Sequence, residues 1–204
     1  MVGAVLGAVI IITCYYIALH ILEKESSTSP LLLHSVGGLT VVGWIIISLT
    51  TTMVLPIWIL TLCIIWALAV LTVTDCKRYT IPNRFLLLLL MLWATIIGVY
   101  IIFDVSSGIA LLLISLAGAL IGGMIFFLCY ILSRKQLGAG DVKLVFILGL
   151  FLTGQRIMGA IFYGVILCCI FSCIQLCRKK IGIKDGIPLV PFLYLGTWIT
   201  LLIL

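Results

Sequence analysis

An all-α, polytopic membrane helical bundle of about eight transmembrane helices is the fold class this sequence predicts, and three observations predict it. Hydrophobic residues make up 65% of the 204 and charged residues only 9%, too little charge to cover the surface of a soluble domain. Long uncharged runs occur at Met1–Leu22, Ser26–Thr74, Phe85–Phe103, Val105–Ser133, Ile157–Cys177 and Gly186–Leu204, and a helix needs about 20 apolar residues to cross the hydrocarbon core. If eight spans alternate, 11 of the 12 basic residues, all but Arg156, fall on one side. That bias marks a cytoplasmic face.

The first span, near 3–22, has no basic residue ahead of it and no small-residue cleavage site. A retained helix is expected there, not a removed signal peptide. The 49-residue run from Ser26 must hold two spans, near 37–52 and 54–74, with "SVGG" and "TTTMVLP" at their edges. Further spans are expected near 85–103, 107–132, 142–155, 157–177 and 187–204, the sixth of them short. Lipid offers backbone groups no partners, so runs of this kind are helices. The chain reads as a single integral-membrane domain, 1–204, with no internal repeat, low-complexity tract or linker. Its +6 net charge follows from the one-sided loops, so no nucleic-acid partner is expected; the partner implied by composition is the lipid bilayer.

Eight cysteines are present, none in a Cys-x-x-Cys pair. Cys169, Cys173 and Cys177 share a helical face, but cysteine packs well between helices as a small apolar residue. Zinc sites usually pair close cysteines in loops. No metal and no cofactor is therefore expected.

The six acidic residues carry the functional signal. Glu23 and Glu25 flank Lys24 in a solvated loop, Asp104 caps the outer end of the fourth span, and Asp185 sits among basic residues. Asp75 and Asp141 differ, because each sits at a membrane edge on the same face, and intramembrane acids are costly enough to mark function. Asp75 lies in "TVTDCKRYTIPNRF" at the C-terminal end of the third span. Pro82 stops regular structure there, and Asn83 is placed to cap the next helix. Asp141 follows Gly138-Ala139-Gly140, whose glycines permit positive φ and close backbone approach. Taken alone, this stretch is also what a plain turn with a capping aspartate looks like. Two carboxyls sharing a water cannot both ionise easily, so one stays protonated near neutral pH. The ionised member then takes a proton from water while the other polarises a peptide carbonyl. Asp75 ends a helix and Asp141 begins one, so the helix dipole makes Asp75 the expected holder of the proton.

"DCKRYTIPN" (Asp75–Asn83) with "GAGDVK" (Gly138–Lys143) resembles the paired signature of the type IV prepilin peptidases, membrane aspartic proteases of the Gly-x-Gly-Asp class. "GIPLVPFLYLG" (Gly186–Gly196) is similar to the segment that opens their last helix, and the likeness covers a peptidase core of about 60–204. The resemblance implies Asp75 and Asp141 as the catalytic pair, with Gly138, Gly140, Lys143, Pro82 and Asn83 in supporting positions. It implies type IV prepilins or pseudopilins as substrates, cut at the cytoplasmic face of a bacterial inner membrane after a glycine that precedes a hydrophobic helix. Many members carry an insert with two Cys-x-x-Cys pairs after the first helix and also methylate the new N-terminus. Here that region is "EKESSTSPLLLHSVGG", without cysteine, so peptidase activity alone is expected. The competing reading is a proton- or ion-coupled transporter using Asp75 and Asp141; against it, both carboxyls sit at the membrane edge and not at its midplane.

Overall fold

A computed structural model of the protein describes residues 36–43, 45, 55–133, 137–178 and 186–203. The expected first span and half of the second lie outside the described residues. Among those residues there are seven helices and no strand: α1 at 36–43, α2 (Leu55–Arg78), α3 (Asn83–Phe103), α4 (Val105–Leu132), α5 (Ala139–Leu152), α6 (Gly154–Cys177) and α7 (Val190–Ile203). Four of them, α2, α3, α4 and α6, are long and apolar enough to cross a membrane. The protein is a helical, multi-pass membrane protein.

A count of eight spans is not what the described residues give. Helices α5 and α7 have 14 residues each, about 21 Å of helix at about 1.5 Å per residue, against a hydrocarbon core of about 30 Å. The sixth expected span, near 142–155, is α5, which starts at Ala139 and stops at Leu152. It stops because Thr153 takes φ 61 and ψ 169, a left-handed φ that a β-branched residue rarely adopts. Thr153 is the whole connection between α5 and α6. Its hydroxyl donates to the Leu152 carbonyl at 2.6 Å and its N–H to that of Gly149 at 3.1 Å.

Helix α2 is the centre of the bundle. Some 61% of its apolar stretch is buried, against 22% for α3 and for α6, and it packs against α3, α5 and α7. Leu60, Ile64, Leu68 and Leu71 of α2 join Leu144 and Leu148 of α5 and Leu193 of α7 in one core.

Two crossings are close enough for backbone to touch backbone. A Cβ on Gly149 would stand 2.5 Å from the Gly118 carbonyl oxygen, which fixes α5 against α4. A Cβ on Gly196 would stand 2.5 Å from both the Ala160 oxygen and the Gly164 nitrogen, which fixes α7 against α6. Small residues at such points let membrane helices gain dispersion contacts where the hydrophobic effect gives them none. Asp104 joins α3 to α4, and its carboxylate caps the start of α4, accepting from the Ser107 N–H at 3.2 Å and the Ser106 hydroxyl at 2.9 Å.

Candidate active site

Asp75 lies in the last turn of α2 and is buried at 5% exposure. A lone buried carboxylate is costly, and its partner comes from the far end of the chain. The Val190 N–H donates to Asp75 Oδ2 at 3.0 Å, and the Leu189 N–H also reaches the carboxylate. These are free first-turn donors of α7, which have no intrahelical acceptor. Pro191 follows them at a position where a missing N–H breaks no helical bond. "IPLVPF" thus starts a helix whose N-terminus points at a carboxylate.

Beyond Asp75 the chain turns sharply. Lys77 and Arg78 occupy the last turn of α2, favourable for cations at a helix C-terminus. Tyr79 takes φ 50, and its N–H donates to the Asp75 carbonyl at 3.0 Å. Pro82 occupies the cap position of α3, its carbonyl accepting from Phe85 and Leu86 at 3.0 and 3.3 Å, with no side-chain cap. The capping role expected of Asn83 is therefore not what its side chain does. Asn83 is already helical, and its Oδ1 accepts from Lys143 Nζ at 3.1 Å.

Asp141 is the third residue of α5, behind the cap residue Gly138. Its carboxylate folds back to accept the Gly138 N–H, the acidic half of a capping box. Positive φ is not the reason for the glycines here: Gly138 has φ −66, and no described glycine has positive φ. The reason is room. A Cβ on Gly138 would lie 2.8 Å from Asp141 Oδ2, and one on Gly140 would lie 3.4 Å from Ile81. Gly138→Ala is expected to displace the carboxyl and cut activity sharply, whereas Gly140→Ala, which meets only a movable side chain, is expected to be mild. Side-by-side cleavage rates of the two variants check this.

The structure thus brings Asp75, Pro82, Asn83, Gly138, Gly140, Asp141 and Lys143 to one end of the bundle. Asp75 and Asp141 are close enough for the charge of one to act on the other. Burial first, and the Asp75 charge second, push the Asp141 carboxyl up from 3.8 to about 6, with the Gly138 N–H opposing. A carboxyl raised in this way stabilises the fold fully below pH 3.8, and that contribution is lost as pH rises through about 6. Thermal unfolding in detergent is expected to show a falling midpoint across that window, and Asp141→Asn to flatten the fall.

Residues 62–173, more than half of the chain, match the type IV leader peptidase family. The chain belongs to that family. Comparison with curated proteins gave no match, and comparison with solved structures gave none. The family match makes this membrane protein a peptidase of the leader-peptidase kind, and it spans both "DCKRYTIPN" and "GAGDVK".

Two participants lie beyond the matched residues. The backbone donors at Leu189 and Val190 were signalled only by the likeness of "GIPLVPFLYLG" to a family segment, without any indication that its N–H groups meet Asp75. The Ile81–Gly140 packing contact had no sequence signal. Cys169, Cys173 and Cys177 lie exposed along α6.

Proposed function

We propose that the protein is a membrane aspartic endopeptidase that removes the short leader of type IV prepilins or pseudopilins. It acts at the cytoplasmic face of a bacterial inner membrane, using Asp75 and Asp141 as a water-activating dyad. The observation that supports this most is the meeting of three ordered motifs around two interacting carboxyls: α7 donates to Asp75, and Lys143 ties the Asp141 loop to the Pro82–Asn83 loop.

In this reading the dyad shares one proton, and its location follows from the groups around each carboxyl. Asp75 faces two backbone N–H donors and Asp141 one; such donors favour the charged form. Each aspartate's own helix dipole favours the proton on Asp75, whereas the N-terminus of α7, which donates to Asp75, acts the other way. Asp141 therefore holds the proton. Asp75 takes a proton from water as the water oxygen bonds to the peptide carbon, and Asp141 gives its proton to the carbonyl oxygen. As the tetrahedral adduct collapses, one hydroxyl returns its proton to Asp141 while the C–N bond breaks and the amine leaves with the proton held by Asp75. Carbon-detected titration of labelled aspartates in detergent is expected to place Asp141 near pH 6. An Asp141 that stays ionised down to the ordinary carboxylate range would sink the assignment.

Co-expression with a candidate prepilin, read by gel mobility and by sequencing of the new N-terminus, tests the activity itself. A panel of prepilins and pseudopilins left uncut by membrane-inserted protein would overturn it, and proton flux in vesicles would then favour a transporter. Lys143→Met is expected to lower turnover several-fold with little change in stability, since its exposed hydrogen bond to Asn83 positions the start of α5 against the start of α3. Lys143→Arg should recover part of the loss.

A further inference from the structure

An apolar groove of about 700 Å³ runs from the site along the outside of the bundle, between α3, α4 and α5. Its mouth is the Lys143–Asn83 pair, two residues from Asp141. Away from the mouth the lining is apolar. Helix α3 contributes Leu87 and Leu90, three residues apart; α4 contributes Leu120, Met124 and Phe127, at spacings of four and three. Leu87, Leu120, Met124 and Phe127 are each more than half exposed.

The pattern of that lining matters more than its greasiness. Each wall is a stripe at helical spacing, so the groove offers ridges running along its own axis, the surface that accepts a further helix. The groove is also continuous with the candidate site, sharing Lys143 and Asn83 with it.

We propose that this groove is the docking site for the apolar helix of the substrate, entering lengthwise with the scissile peptide at the Asp75–Asp141 end. The proposal rests on the peptidase reading above and adds to it where the substrate lies. Binding energy comes from side chains remote from the cut bond, and the groove fixes how far along the helix the carboxyls can reach. Lys143 then serves twice, closing the loops and marking the boundary between the groove and the chemistry.

The test uses a tagged pilin-like reporter with an apolar helix after its cleavage site. A photoreactive phenylalanine analogue is placed singly at Leu87, Leu120 or Met124 in full-length protein carrying Asp141→Asn, with Phe162 and Ile174, exposed on α6, as controls. Adducts from the three groove positions to the reporter helix, at helical spacing and absent from the controls, are the expected result. Equal labelling from groove and control positions overturns the groove, as does labelling of lipid alone. In active protein, Met124→Trp is expected to raise KM about tenfold with kcat nearly unchanged, the signature of lost substrate binding. Normal cleavage of the reporter without groove adducts refutes the groove and leaves the peptidase standing. A reporter left uncut by the unmodified protein refutes both.

Discussion

Asp75→Asn and Asp141→Asn are each expected to abolish leader removal while the protein remains folded in the membrane. Each removes one proton carrier from the dyad, and a positioned acid or base accounts for about 10²–10⁴ in rate. If the pair acts as a unit, as proposed, the double variant should be no worse than either single one. The fold should survive for a local reason. An Asn at position 75 still offers an oxygen to the Val190 N–H, and an Asn at 141 still offers one to Gly138. Asp75→Ala is the informative contrast: it leaves a buried N–H without acceptor, a loss of about 1–3 kcal/mol in stability. Membrane fractionation, thermal unfolding and cleavage of a co-expressed prepilin measure all three. Retained cleavage in either Asn variant would remove the dyad.

Gly196→Val is the second large effect, and it works through packing. Even the Cβ would stand 2.5 Å from the Ala160 oxygen and the Gly164 nitrogen and 2.8 Å from the Gly164 Cα. Backbone atoms within a helix cannot move aside singly, so α6 and α7 must separate. Overpacking of this kind costs about 1–3 kcal/mol. The crossing also sets the height of α7, whose first N–H donates to Asp75, so cleavage should fall further than stability alone explains. Gly98→Ala, where nothing lies within 4 Å, is the matched neutral control. Unfolding midpoints in detergent beside initial cleavage rates separate the two contributions.

Much of the candidate site was legible in the sequence because charge is so scarce. In a chain that is 9% charged, a carboxylate at a membrane edge stands out, and two on one face name each other. The long spans were legible for the matching reason: uncharged runs of sufficient length have no other stable form in lipid. What stayed hidden was backbone. The N–H groups of Leu189 and Val190 belong to residues whose side chains say nothing about donation. They also bear on the expectation about the proton, which counted only the helices that carry the aspartates. Asn83 was misjudged for a related reason. A side chain suited to local capping was instead bonded to Lys143, 60 positions away, and only the meeting of α3 with α5 makes that available. The count of spans depended on apolar length, and α5 is apolar from Leu144 onward yet is cut short by the turn at Thr153.

The hydrogen bond from Val190 to Asp75 joins residues 115 positions apart, and this has a bearing on how the molecule is made. During synthesis and membrane insertion, Asp75 enters long before its donor has been translated. Asp141 arrives in between, so both carboxyls can be in place while one still lacks its hydrogen-bonding partner. Completion of this end of the bundle thus coincides with docking of α7 beside α2. On the peptidase reading proposed above, a nascent chain is therefore expected to cut nothing until that late helix has inserted.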